Sequence, residues 1–390
     1  MPVLKSIACR KILNSHVEFT NEFIIELVDG SVGAAGSPQG ETISIYEDKK
    51  VSVQPATIIQ KIEAAGLAGR EIDQEGFDDF LQKEIRLIGR NNAFSLSLAF
   101  FHASNKTRSL FELFGRPRIK LTPPRLCLNI LNGGWHAYTN PVLSDFSEFL
   151  LVAKSPDLED VVGDHNEIQR AVKEGLLTQT KTVISGNPVN RFAMPDNREC
   201  IDFLLKILDG LGLSDKFELM IDASAGDLWK DGRYHLAITD GSSRTSEQFL
   251  DYWMDIIRQY GLRFLEDPFR EQDAESWRRL TTSQQSCYVI GDNFYSSDAG
   301  RIEVGAAERR THGAIIKPNQ AGTITAVRRA VEAAQRAGQI AITSHRSIST
   351  EETFLSTLTC VFGVTYIKIG PLQSDYSSVV RLNEIIRHTE

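Results

Sequence analysis

Six residues along the second half of the chain each sit at or near the end of a short apolar run. Asp222, Glu266, Asp292, Lys317, His345 and Lys368 belong to FELMID, LRFLED, CYVIGD, GAIIK, IAITSH and TYIKIG. Three carboxylates sharing a pocket repel one another unless a cation neutralises them, and all-oxygen ligation with open positions is what Mg²⁺ uses. A single strand-end acid could equally cap the following helix; three in register favour the metal. An isolated strand-end lysine would snorkel to solvent. A lysine beside a second lysine and a metal ion loses its preference for the charged form, so Lys317 becomes a candidate base near neutral pH. Its task would be to take a proton from carbon, which is feasible when Mg²⁺ and cations stabilise the resulting doubly charged enolate. Arg346 and Ser347, directly after His345, suit the oxygens of a phosphate or phosphonate.

The elements that must position these residues follow from the spacing. The last five of the six lie 23 to 28 residues apart, one βα unit each, with helical stretches such as TSEQFLDYWMDIIRQYG and GTITAVRRAVEAAQRAG between them. That pattern predicts a parallel barrel whose strand ends converge on one face. Residues 3 to 35 alternate as strands with an Asp29-Gly30 turn, and helical spacing takes over from about residue 55. RPRIKLTPPRL, residues 116 to 126, carries three prolines and no periodicity, and reads as a linker between two domains.

The chain has 390 residues, 42% of them hydrophobic, and a formal charge of −8, which argues against a nucleic-acid or anionic-membrane surface. Five scattered cysteines with no CxxC pair suit a reducing compartment, so the cytoplasm is expected. The N-terminus lacks an apolar segment of the export type, and no run approaches the roughly 18 apolar residues needed to span a bilayer.

Assembled in order, these strings resemble the enolase family over nearly the whole chain. LNILNGGWHA resembles the family's NVINGGxHA, LEDPF its IEDPF, GDN its GDD, IIKPNQAG its LLKxNQIG, SHRSISTEETF its SHRSGETEDTF, and IKIG its IKTG. The resemblance implies an α/β fold: an α+β capping domain, residues 1–122, then an enolase-type (β/α)8 barrel, residues 123–390, with a homodimer or higher homo-oligomer expected. It implies that Asp222, Glu266 and Asp292 hold magnesium, that Lys317 is the α-proton base, and that Lys368 helps hold the substrate carboxylate. His136 and His345 take the places of the active-site histidines, and Arg346 and Ser347 those of the phosphate-binding pair.

The departures from the family pattern bear on function. The mobile loop PSGASTGxxEA is here SPQGETISIYED, with Thr42 in place of a serine that reaches a second magnesium. Anchoring on Phe192 and Ala193 puts Val189 where GDEGGFAP has a glutamate that assists loss of hydroxide, and valine donates no proton. A second family glutamate, from the MQEF segment, falls on Asp145, one methylene shorter, with Glu148 close by at a different spacing. His16 replaces the arginine of ILDSRG. General acid catalysis is worth about 10²- to 10⁴-fold, so ordinary dehydration is in question. Three readings follow. One is a Mg²⁺-dependent paralogue acting on 2-phosphoglycerate, phosphoenolpyruvate or a phosphonate analogue, as in carboxyphosphonoenolpyruvate synthase. The others are a true enolase in which Asp145 or Glu148 covers for the missing acid, and a catalytically silent binding protein.

Overall fold

The computed structural model describes residues 1–40, 44–47, 53–105, 110–115, 121–134, 139–184 and 186–390. The chain opens with an antiparallel sheet of β1 (Leu4–Leu13), β2 (Phe19–Leu27) and β3 (Val32–Gly36). The turn between β2 and β3 lies at the expected Asp29-Gly30, where Asp29 Oδ1 accepts from the Ser31 amide at 2.8 Å. Alternation puts Phe23, Ile25 and Leu27 on one face, fully buried. They meet the helix Arg90–Ser104, whose central residues, from Asn92 to Phe101, are buried on every side. Such a helix, buried on all sides, is what a small sheet and flanking helices need in order to share one core.

The strand β4 (Arg125–Asn132) takes in the last two residues of the expected linker, because the Arg125 amide already donates to Thr365 O at 2.7 Å. The strands β5 (Glu148–Ala153), β6 (Thr180–Ile184), β7 (Asn187–Arg191) and β8 (Phe217–Asp222) follow. A small sheet of β9 (Trp229–Lys230), β10 (Arg233–Leu236) and β11 (Ser242–Arg244) precedes β12 (Phe264–Glu266). The chain continues through β13 (Tyr288–Gly291), β14 (Gly313–Ile316), β15 (Ile340–Ser344) and β16 (Tyr366–Lys368).

Eight of these strands close into a barrel in the order β12, β13, β14, β15, β16, β4, β5, β8. All six apolar runs identified in the sequence are among them. The barrel departs from the expected all-parallel form at β5, which runs antiparallel to both β4 and β8. A parallel return requires a crossover, usually a helix, and the described part of the β4–β5 connection contains none. Inside the barrel, Cys127, Leu150, Val152, Met220, Phe264, Ile290, Ile315, Ile342 and Tyr366 fill the space below the rim. All five cysteines are free thiols, four of them buried. Among the described residues no helix is long and apolar enough to cross a membrane.

The helical part of the cap grips the segment that follows β14. Gln82 Nε2 donates to Ala321 O at 2.9 Å, Arg90 Nη1 to Gln320 O at 2.9 Å, and Asn319 Nδ2 to Asn91 Oδ1 at 2.7 Å. Asp78, 1% exposed, accepts from Ser97 Oγ at 2.6 Å and from the Thr325 amide at 2.9 Å, near the start of the barrel helix Ile324–Arg336. An acceptor removed from such a site leaves buried donors unpaired. Asp78→Ala is therefore expected to destabilise the protein by about 2 kcal/mol, read as a lower midpoint in urea; an unchanged midpoint would show that the cap is not held by this carboxylate.

Candidate active site

The rim at the C-terminal ends of the parallel strands assembles the expected residues. Glu266 and Asp222 are register partners at the ends of β12 and β8, and Ser344 and Lys368 at the ends of β15 and β16. Asp292 and Lys317 are the first residues beyond β13 and β14. A cavity of about 320 Å³ opens here, and its lining includes Asp222, Asp292, Lys317, His345, Arg346, Ser347 and Lys368. His16, the residue in place of the family arginine, also lines it. His136 and Thr42 lie outside the described residues.

Charge is matched internally. Lys368 Nζ lies 2.7 Å from Glu148, 2.9 Å from Glu266 and 3.6 Å from Asp222. Lys317 Nζ donates to Asp292 Oδ2. Burial together with the Asp222 charge pushes the Glu266 carboxyl well above its usual range, against the pull of Lys368. Burial acts the same way on Asp292, but Lys317, Lys368 and Arg346 outweigh it and hold that carboxyl below its ordinary value. At Lys368 burial disfavours the ammonium, yet Glu148, Glu266 and Asp222 more than offset this, and its pKa is raised well above the ordinary lysine value. His345 is pushed well below its usual pKa by burial and by the neighbouring Arg381, Lys368 and Lys317, so it is neutral at pH 7. Gly370, at φ +95°, leaves it room; a Cβ there would lie 2.8 Å from His345 Cε1.

The two carboxylates considered for acid–base work, Asp145 and Glu148, are placed differently. Asp145 is buried outside the cavity lining, where it accepts from the Ile238 amide at 2.8 Å, from Asn197 Nδ2 at 3.2 Å and from Thr239 Oγ1. It pins two loops together and faces no reacting group. Glu148, the alternative to Asp145, is the carboxylate of the two that lines the cavity. It is the first residue of β5, register partner of Asp222, and its Oε1 accepts from Asn129 Nδ2 at 2.7 Å. Because β5 is antiparallel, its beginning rather than its end lies at the rim. The apolar run FLLVA preceded by a glutamate was the available signal, and it is legible only once the strand direction is known. Val189 lies on β7, opposite Thr182, buried and outside the cavity lining.

The acid set suits a divalent cation. Glu266 Oε1 and Asp292 Oδ1 are buried and accept no hydrogen bond among the described residues, although buried polar atoms are ordinarily satisfied. Among the described residues no three His, Cys, Asp or Glu side chains stand as a ready-made ligand set, since Lys368 and Lys317 occupy the acids instead. Asp222, Glu266 and Asp292 would hold Mg²⁺ by turning from these ammonium groups to the ion.

Comparison with known proteins agrees with this geometry. Residues 120–390 match the family model described as the enolase C-terminal TIM barrel domain. An enolase of Methanocorpusculum labreanum is 29% identical over 412 aligned residues that span all of both chains. An enolase of Saccharolobus solfataricus is 27% identical over 379 residues, covering 92% of this chain and 89% of that one.

Removing one partner of a buried charge cluster costs about 3–5 kcal/mol. Lys368→Met keeps most of the volume but leaves Glu148, Glu266 and Asp222 unneutralised, so its thermal midpoint should fall well below that of the native protein. Millimolar Mg²⁺ should restore much of that loss and raise the variant's midpoint more than the native one. An equal Mg²⁺ response in both would show that the ion does not compete with Lys368 for the acids.

Proposed function

The chain belongs to the enolase family, and from that premise we propose that it is a Mg²⁺-dependent enzyme of carbon–oxygen lyase or related transferase type. Its substrate is 2-phosphoglycerate, phosphoenolpyruvate or a phosphonate analogue. The finer proposal is a specialised paralogue in phosphonate metabolism, akin to carboxyphosphonoenolpyruvate synthase, in which the departing or accepting group is not hydroxide. What carries the reading is one juxtaposition: Lys317, the three acids and Arg346–Ser347 share a rim, while position 189 holds a buried valine away from it.

Lys317, at the rim beside Asp292, accepts the proton from the carbon next to the substrate carboxylate onto Nζ. Lys368, kept as an ammonium by its carboxylates, presents positive charge to the substrate carboxylate. Arg346 and Ser347 bind the oxygens of the phosphoryl or phosphonyl group, and neutral His345 supplies hydrogen bonding without competing for the anion. When bound, Mg²⁺ at Asp222, Glu266 and Asp292 supplies charge to stabilise the enolate. The exposed Leu13, Val17 and Phe19 around the β1–β2 turn fit the proposed homodimer, which light scattering would test.

Proton NMR in D₂O with Mg²⁺ and 2-phosphoglycerate tests the reaction. Deuterium should enter at C2 with little phosphoenolpyruvate formed. Lys317→Ala should lower the exchange rate at least about 10²-fold. Absence of exchange with 2-phosphoglycerate and with phosphonate analogues would overturn the reading in favour of a silent binding protein.

One observation favours a second reading, phosphopyruvate hydratase itself. Glu148 stands at the rim beside Lys368 and could assist hydroxide departure in place of the missing acid. Under that reading phosphoenolpyruvate forms rapidly. Glu148→Gln would then suppress product by about 10²-fold or more while sparing C2 exchange, and a Glu148→Gln variant with unchanged turnover would remove the residue from the mechanism.

A further inference from the structure

The guanidinium assigned to the phosphoryl group already has an anion of its own. Arg346 Nη1 donates to Glu47 Oε1 at 3.3 Å, and Nη2 lies 3.2 Å from Glu47 Oε2, with both side chains less than 10% exposed. The approach depends on Gly40, where a Cβ would lie 1.8 Å from Arg346 Nη2. Glu47 is fixed in turn: Gln320 Nε2 donates to its Oε1 at 3.2 Å, and the Ser44 amide reaches the same oxygen at 3.3 Å. Gln320, fully buried, accepts from Ser297 Oγ at 2.9 Å through its Oε1, and Ser297 Oγ accepts from the Lys317 amide at 2.8 Å. One unbroken chain of polar contacts therefore runs from the Lys317 backbone through Ser297, Gln320 and Glu47 to Arg346.

We propose that Glu47 is a positioning residue: the resident counter-anion of Arg346, held by Gln320, which orients the guanidinium before substrate arrives and lowers its attraction for anions carrying too little charge to compete. The inference rests on the reading above that Arg346 takes the phosphoryl group, and it deepens that reading. A buried guanidinium without a partner is costly, so an internal carboxylate keeps the empty site folded. The same carboxylate sets a threshold, because an arriving anion must share or displace it. A phosphoryl or phosphonyl dianion, helped by Mg²⁺ and the rim lysines, meets that threshold better than a monoanionic carboxylate. Specificity for the dianion thus arises partly from a group that opposes binding.

Calorimetric titration of the full chain with inorganic phosphate, in the presence of Mg²⁺, tests this without reference to any reaction. Glu47→Gln keeps the shape and the Gln320 contact but removes the charge. It should bind phosphate roughly tenfold more tightly, and acetate, too weak to register on the native protein, should now bind measurably. Phosphate affinity that is unchanged or weaker in Glu47→Gln would overturn the proposal. Gln320→Met leaves the charge but loosens its tether, and should tighten phosphate binding by a smaller factor, about twofold to threefold; should Glu47→Gln fail to fold, an unchanged affinity in Gln320→Met overturns the proposal instead. Where substrate turns over, Glu47→Gln should lower kcat without raising KM, a split that general loss of structure would not give. Arg346→Gln separates the two readings: if it leaves phosphate binding intact, the assignment of Arg346 has failed, and if it abolishes binding while Glu47→Gln behaves as native, only the role of Glu47 has failed.

Discussion

Everything at the barrel rim depends on neutralising carboxylates that could not otherwise be buried together. Glu266 is fully enclosed and Asp222 and Asp292 nearly so. Their mutual repulsion in a low-dielectric setting would exceed what packing could offset. Two ammonium groups resolve this, one shared among three acids and one held by Asp292. The same arrangement gives each lysine two roles. A cation that binds the acids releases the lysines, and a released lysine is a different acid–base group from a paired one. The metal and the base are therefore linked through a common set of partners rather than merely adjacent.

The fold supplies this cluster by topology, and topology also explains how much of it was legible in sequence. Parallel strands all end at one face, so a polar residue at the close of each apolar run was enough to find Asp222, Glu266, Asp292, Lys317, His345 and Lys368. Glu148, offered only as the alternative to Asp145, could not be preferred from spacing, because the rule inverts for an antiparallel strand and one-dimensional spacing carries no strand direction. Asp145, three residues earlier, was drawn in by counting from a motif alone. The charge state of Lys368 was not legible for another reason: two lysines near each other suggest repulsion until the number of carboxylates around each is known.

The pairing of Glu47 with Arg346 was beyond any reading of pattern. The two residues are 299 positions apart, and neither periodicity nor composition links a cap-proximal loop to one particular barrel arginine. The cap sheet was readable in outline because alternation and the Asp29-Gly30 turn are local signals. Its contacts with the barrel were not, since Gln82, Arg90 and Asp78 look like ordinary surface residues of amphipathic helices until the second domain is placed against them.

Those contacts have a consequence for how the protein comes into being. Every group proposed to touch substrate, apart from the segment around residues 36–47, is encoded in the barrel, yet the short turn that carries the chain away from Lys317 is held by side chains made some 230 residues earlier. During synthesis these donors therefore stay unspent until the last third of the chain emerges. A barrel that closed first would present the right residues with the base-bearing loop unsupported. Competence is thus acquired late and all at once, when the first part of the chain made meets one of the last.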